Sequence, residues 1–321
     1  MVSYDLIGDI HGYSRPLVEL LEKLGYENIG GVYRHPDRKV VFLGDFIDRG
    51  PEQRQVIEVV RPMIDSDAAL SVLGNHEFNA IAYATEDPDE TGGYLRPHTD
   101  KNRRQHEAFL AAYEDSRDYA ELIQWFRHLP LWLELDGLRV VHACWDDKLM
   151  RFLEKRYPTV NEGLDDELLV AASDKRRPEF KAIETLLKGR EIPLPRGQRF
   201  YDKDGNPRHQ IRVKWWDAEA KTYREAFLGP DAARSHIPED PLDVNHEIAY
   251  SSDAPPVFVG HYWMDGRPDL LAPNVVCLDY SVAAPSGGKL VAYRWNGEQT
   301  LRVDNFVFVE RKQASPSTGP M

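Results

Sequence analysis

Val40-Val41-Phe42-Leu43-Gly44-Asp45-Phe46-Ile47-Asp48-Arg49-Gly50-Pro51 runs from four apolar residues straight into a glycine-bounded loop carrying two aspartates and an arginine. A short apolar run closed by glycine reads as a buried strand. Two other stretches share the design. Val2 to Ile7 reads as a strand and leads into Gly8-Asp9-Ile10-His11-Gly12, and Leu70 to Leu73 leads into Gly74-Asn75-His76-Glu77. Between them, Ser14-Arg15-Pro16 opens a helix with Leu17, Leu20, Leu21 and Leu24 on one face and Gly25 as its stop. Arg54 to Met63 is expected to be helical as well. Strands alternating with helices in this way predict a layered α/β fold.

The loops carry the residue types that phosphate-ester hydrolysis requires. Near neutral pH the reaction needs a nucleophile, neutralised phosphoryl charge and a proton for the leaving group. Two divalent ions roughly 3.5–4 Å apart can supply the first two, bringing a bound water's pKa down to about 7. Such a pair needs a carboxylate between the ions, and Asp45 is the natural bridge. Asp9 and His11, placed where a strand breaks, could turn to one metal. Flanking glycines let the backbone bend there and leave room for ions and substrate. Asn75 offers an amide oxygen suited to a hard or borderline cation. Two later histidines end apolar runs in the same manner: His142 after Leu138-Arg139-Val140-Val141, and His261 after Pro256-Val257-Phe258-Val259-Gly260. Both are expected at strand ends on one sheet edge, where open α/β sheets place ligands.

The motif set Gly-Asp-x-His-Gly, Gly-Asp-x-x-Asp-Arg-Gly and Gly-Asn-His-Glu resembles that of the calcineurin-like metallophosphoesterases, and within them the phosphoprotein-phosphatase branch. The resemblance implies a four-layer αββα sandwich of two mixed sheets. It implies that Asp9, His11 and Asp45 hold a first metal, and that Asp45, Asn75, His142 and His261 hold a second. His76 would be the general acid, oriented by Asp48, with Arg49 gripping the phosphate and Asn75 and His76 also meeting substrate. A hydroxide shared by the ions would attack phosphorus in line, without a phosphoenzyme. Manganese is the expected metal, with iron or zinc as alternatives. Gly260-His261-Tyr262-Trp263 lacks the second histidine of the nuclease-like and nucleotidase-like branches. Leu73 before Gly74, and Ala143-Cys144-Trp145 after His142, depart from the eukaryotic-type protein phosphatases. The C-terminal Val275-Val276-Cys277-Leu278-Asp279-Tyr280, with Gly287-Gly288-Lys289-Leu290 and Arg294-Trp295, is similar to bacterial symmetrical diadenosine-tetraphosphate hydrolases. The first expectation is a phosphatase for phosphoserine, phosphothreonine or phosphotyrosine. A dinucleoside polyphosphate hydrolase is second, and a non-catalytic metal-dependent binding module third.

Forty Lys+Arg against 53 Asp+Glu give a net charge of −13, which argues against general nucleic-acid or anionic-membrane binding. Cys144 and Cys277 are too few for a disulfide framework and are expected to be buried thiols in a reducing compartment. With no apolar leader or run of eighteen apolar residues, the cytoplasm is the default location. Late strands are expected at 131–135, 139–142, 257–259, 275–278 and 289–294. One domain over 1–311 is expected, with an insertion at about 148–245 that loops out as a possible lid and a disordered tail at 312–321. Within the insertion, 164–188 has helical spacing and 199–216 reads as a hairpin turning at Asp204-Gly205-Asn206. Segment 85–105 is a further candidate substrate loop, although Arg96, Arg103 and Arg104 read first as solvated charges. Trp215-Trp216 reads as the packed face of a hairpin rather than a stacking platform. His98, His106 and His209 receive no role.

Overall fold

The computed structural model describes residues 3–201, 205–243 and 250–312. Val2, Asp204 and the tail from residue 313 therefore lie outside the described residues. Two sheets make the frame. The first is mixed, in the order Asp279–Tyr280, Lys289–Trp295, Ser3–Ile7, Arg38–Phe42 and Ala69–Ser71, with Phe306–Glu310 also paired to Lys289–Trp295. The second runs Val275–Cys277, Val257–Val259, Leu138–Val141 and Trp132–Leu135.

Strand alternation explains the layers. Leu6, Val41, Val72, Leu138, Val140, Phe258, Val276, Tyr293 and Trp295 form one buried cluster, the filling between the sheets. Their neighbours along the strands face the other way. Ile7, Val40 and Phe42 are buried with Leu17, Leu20, Leu21, Val56, Val60 and Met63 of helices Ser14–Leu24 and Gln53–Asp65. On the second sheet, Val141, Val257 and Val259 are buried with Ile183, Leu186 and Leu187 of helix Pro178–Lys188. The result is the αββα sandwich. Gly25 ends the first helix in a left-handed conformation, φ 91°, and its N–H is bonded back to Glu22 and Leu21 carbonyls.

Register sets where the loops emerge. Ser3–Ile7 and Arg38–Phe42 are parallel with Ile7 opposite Phe42, and Phe42 lies opposite Ser71 of the next parallel strand. The three motif loops therefore leave one edge together. Val257–Val259 is parallel to Leu138–Val141, with Phe258 opposite Val140, so His142 and His261 also leave one edge.

Stretch 148–245 contains helices Asp166–Ser173 and Pro178–Lys188, and backbone bonds from Ala143 and Cys144 N–H to the Leu186 carbonyl tie it to the second sheet. The hairpin expected over 199–216 is present but short, pairing Phe200–Tyr201 with Pro207–Arg208, and beyond it Gln210–Arg212 pairs with Glu191–Pro193. The second pairing sets Ile211 directly opposite Ile192, burying both, a cross-strand contact that a continuous hairpin would not make. Cys144 and Cys277 are free and buried. Among the described residues no helix is long and apolar enough to cross a membrane.

Phe258 is fully buried between the sheets, with its ring centroid 5.2 Å from that of Tyr293. Phe258→Ala should destabilise the protein by about 3–5 kcal/mol in urea unfolding. Ile29→Ala, at a 59% exposed position, should cost no more than about 0.5 kcal/mol.

Candidate metal centre

The first two loops are zipped together by their backbones. Ile10 and His11 N–H donate to the Asp45 carbonyl at 3.1 and 2.8 Å, Gly12 N–H to Phe46, and Gly50 N–H back to His11. The third loop is tied in by Glu77. Its buried carboxylate accepts from Asp45 N–H and Phe46 N–H, each at 2.8 Å, and from Gly74 N–H at 3.1 Å. Burial and the neighbouring Asp45 push the Glu77 carboxyl up to about 7.

This crossing forces unusual backbone. His11, Asp45, Asp48, Arg49, His261 and Trp263 all have φ between 47° and 70°. Non-glycine residues seldom adopt that region, and such conformations persist where surrounding contacts over-determine them. Two glycines are needed for close approach rather than for flexibility. A Cβ on Gly74 would lie 2.2 Å from Asp45 Oδ1, and one on Gly260 would lie 2.0 Å from Asp9 Oδ1.

The six side chains expected to hold metal converge from both sheets. Asp45 Oδ2 lies 3.7 Å from His11 Nε2 and 3.4 Å from His142 Nε2. Asp9 Oδ2 lies 4.0 Å from His11 Nε2 and accepts from His261 N–H at 3.0 Å. Asn75 Oδ1 lies 3.1 Å from His142 Nε2 and 2.7 Å from His261 Nδ1. Two groups have the spacing to hold a metal ion, His11–Asp45–His76 and Asp45–His142–His261, and they share Asp45.

The donor chemistry fits cations. His11 Nδ1–H donates to the Ile47 carbonyl at 3.0 Å, and His142 Nδ1–H donates to the Leu43 carbonyl at 2.6 Å. Each carbonyl fixes a tautomer whose Nε2 lone pair points inward. His11 Nε2 and Asp9 Oδ1 are buried without a hydrogen-bond partner. Burial, then the charge of His76, lowers the His11 imidazole to about 3, which keeps it neutral and able to coordinate. Burial would depress His142 too, but Asp45 and Asp9 push it up to about 10. A lone pair facing those oxygens needs a positive charge between them. Burial, and then Asp279, raises the Asp9 carboxyl for the same electrostatic reason.

Asp48 is fully buried, and its Oδ2 accepts from two imidazoles, His76 Nδ1–H at 2.5 Å and His106 Nδ1–H at 2.8 Å. That leaves His76 Nε2 facing the centre, 3.9 Å from Asp45 Oδ2. Burial opposes the charge on His76, but Asp45 and the Asp48 hydrogen bond raise its pKa. Arg49 is exposed, with its guanidinium carbon 4.1 Å from the centre of the Trp263 ring.

Three residues here had no role in the sequence reading. His106 braces Asp48 across 58 positions, and no local pattern marks it. Glu77 was visible inside its motif, but its backbone partners were not. Asp279 follows an apolar strand as Asp9 and Asp45 do, a signal that was available. It is buried and accepts from Trp263 and Ser281 N–H, both at 2.9 Å. Arg103 pairs with Glu114 on the surface, and Trp215 and Trp216 are buried.

The family model for calcineurin-like phosphoesterases matches residues 3–262. Curated relatives include bis(5'-nucleosyl)-tetraphosphatase PrpE [asymmetrical] of Oceanobacillus iheyensis, 31% identical over 166 residues, covering 48% of this chain and 61% of that one. The protein of the same name from Halalkalibacterium halodurans is 47% identical over 76 residues, 23% of this chain and 31% of its own. The chain thus spans less than two thirds of the length of these relatives. A solved protein serine/threonine phosphatase from Saccharomyces cerevisiae aligns over 98% of this chain and 82% of its own at a TM-score of 0.51 and 15% identity, a likeness of fold alone.

Glu77→Gln would replace a two-oxygen acceptor with an amide whose NH2 faces backbone donors. Each buried N–H left without a partner should cost about 1–3 kcal/mol. Thermal unfolding should therefore show a clearly lowered Tm. An unchanged Tm would contradict the tie between the third loop and the second.

Proposed function

The chain belongs to the calcineurin-like phosphoesterase family, and from that premise we propose that it is a metal-dependent hydrolase of phosphate esters and anhydrides whose substrate is a dinucleoside polyphosphate. The reading is carried by the convergence of Asp9, His11, Asn75, His142 and His261 around Asp45, with buried acceptor atoms that lack protein donors. Two divalent ions held there would neutralise phosphoryl charge and lower the pKa of a bound water. Asp9 and His11 would serve one ion, Asn75, His142 and His261 the other, and Asp45 both. The mixed carboxylate, amide and imidazole set suits manganese, iron or zinc.

The remaining residues divide the other tasks. Arg49 stands at the solvent side, where a guanidinium can grip phosphate oxygens in a bidentate manner. His76 has Nδ1 committed to Asp48, so its transferable proton sits on Nε2. Its raised pKa keeps that proton in place for a departing oxygen. His106, bonded to the same carboxylate oxygen, holds Asp48 in position.

The motif set alone favoured a phosphoprotein substrate. The curated relatives shift the preference, because the chain is similar over 76 and 166 residues to proteins named as bis(5'-nucleosyl)-tetraphosphatases. The phosphoprotein reading stays second, supported by the Gly-Asp-x-x-Asp-Arg-Gly and Gly-Asn-His-Glu motifs.

Chelator-stripped protein with manganese restored should hydrolyse diadenosine tetraphosphate in preference to a phosphopeptide; the reverse preference would move it to the second reading. Asp45→Asn should nearly abolish turnover and reduce metal content. His76→Asn should keep the metal and lower kcat by roughly 10²–10⁴ for poor leaving groups, with much smaller losses for activated aryl phosphates. Equal losses on both would exclude His76 as the acid.

A further inference from the structure

Trp263 is unexplained by the reaction chemistry. It is 41% exposed, unusual for so large an apolar side chain, and it lies two residues after His261. Among the described residues, the other exposed large hydrophobics, Ile29, Tyr201 and Val303, belong to other parts of the fold. Chance exposure on a mobile loop does not describe it. Its backbone is left-handed, φ 51°, which is costly for a bulky aromatic. The conformation is held by its N–H on the buried Asp279 carboxylate at 2.9 Å and, one residue on, by Met264 N–H on the Asp279 carbonyl at 2.8 Å. The fold thus fixes an indole at the solvent edge of the centre.

Its neighbour is informative. The Arg49 guanidinium lies 4.1 Å from the ring centre, a cation–π contact. A phosphate gripped by Arg49 would therefore sit beside an aromatic surface with area still open to solvent. A nucleoside 5'-phosphate carries its base one ribose away from that phosphate. Phosphoserine and phosphothreonine carry no ring at all.

We propose that Trp263 is a stacking platform for a nucleobase of the substrate, adjacent to the phosphate held by Arg49. This rests on the phosphohydrolase reading above and deepens it by naming what selects a nucleotide. Asp279 acts through Trp263, as the carboxylate that pins its backbone. Arg49 serves both groups, meeting the phosphate with its donors and the indole with its face.

The test is calorimetric binding of AMP, phosphotyrosine and inorganic phosphate to the manganese-loaded full chain, as wild type, Trp263→Ala and Trp263→Phe. Wild type should bind AMP more tightly than phosphate. In Trp263→Ala the ratio of AMP to phosphate affinity should fall about tenfold, ~1.4 kcal/mol, as expected for one stacked base. Trp263→Phe should restore most of it. Parallel loss of AMP and phosphate affinity would reduce Trp263 to a brace for Arg49 and overturn the proposal. So would a wild type that binds AMP no better than phosphate, or a loss confined to phosphotyrosine. Turnover of diadenosine tetraphosphate is read separately. Its absence alongside Trp263-dependent AMP binding would sink the substrate reading and leave the stack standing.

Discussion

Everything in this protein turns on Asp45 being held at a crossing of three loops. Its carbonyl takes two N–H groups from the first loop, its N–H donates to Glu77 of the third, and its side chain faces imidazoles from both sheets. A buried carboxylate so placed is unfavourable unless positive charge compensates it. Burial would raise the Asp45 pKa, yet His142 and His76 drive it well below the usual carboxylate value. The geometry thus keeps Asp45 ionised and surrounds it with imidazole nitrogens whose protons a metal cation can replace. The strained backbone at His11, Asp45 and His261 is stabilised by the sandwich around it.

The sandwich contributes rigidity in a specific way. Parallel register brings the ends of Ser3–Ile7, Arg38–Phe42 and Ala69–Ser71 to one edge, and Leu138–Val141 and Val257–Val259 deliver their histidines across the inter-sheet core. Phe258, Tyr293 and Trp295 help fill that core, so the spacing between the two sheets that carry the ligands is set by packed aromatic volume. Close packing of this kind transmits displacement rather than absorbing it. The site is therefore a property of both sheets, although its densest motifs lie on one.

Much of this was legible in the sequence because strand, glycine and ligand fall within a few residues of one another. The five late strands could be read from short apolar runs, and His142 and His261 from their place at the ends of two of them. What could not be read depended on distance along the chain. His106 reaches Asp48 from 58 residues away, and the Arg49–Trp263 contact joins residues from opposite halves of the chain. The hairpin over 199–216 was read as longer than it is, because Gln210–Arg212 leaves it to pair with Glu191–Pro193, where Ile211 meets Ile192. Substrate preference was the least legible, since two branches share the residues that perform the hydrolysis.

The most direct measurement is an anomalous-diffraction crystal structure of the manganese-loaded protein. Two peaks roughly 3.5–4 Å apart, one on each side of the Asp45 carboxylate and each contacted by its own histidines, is the expected result. A single peak, or two peaks that do not share Asp45, would contradict the central claim that this crossing builds a two-ion centre.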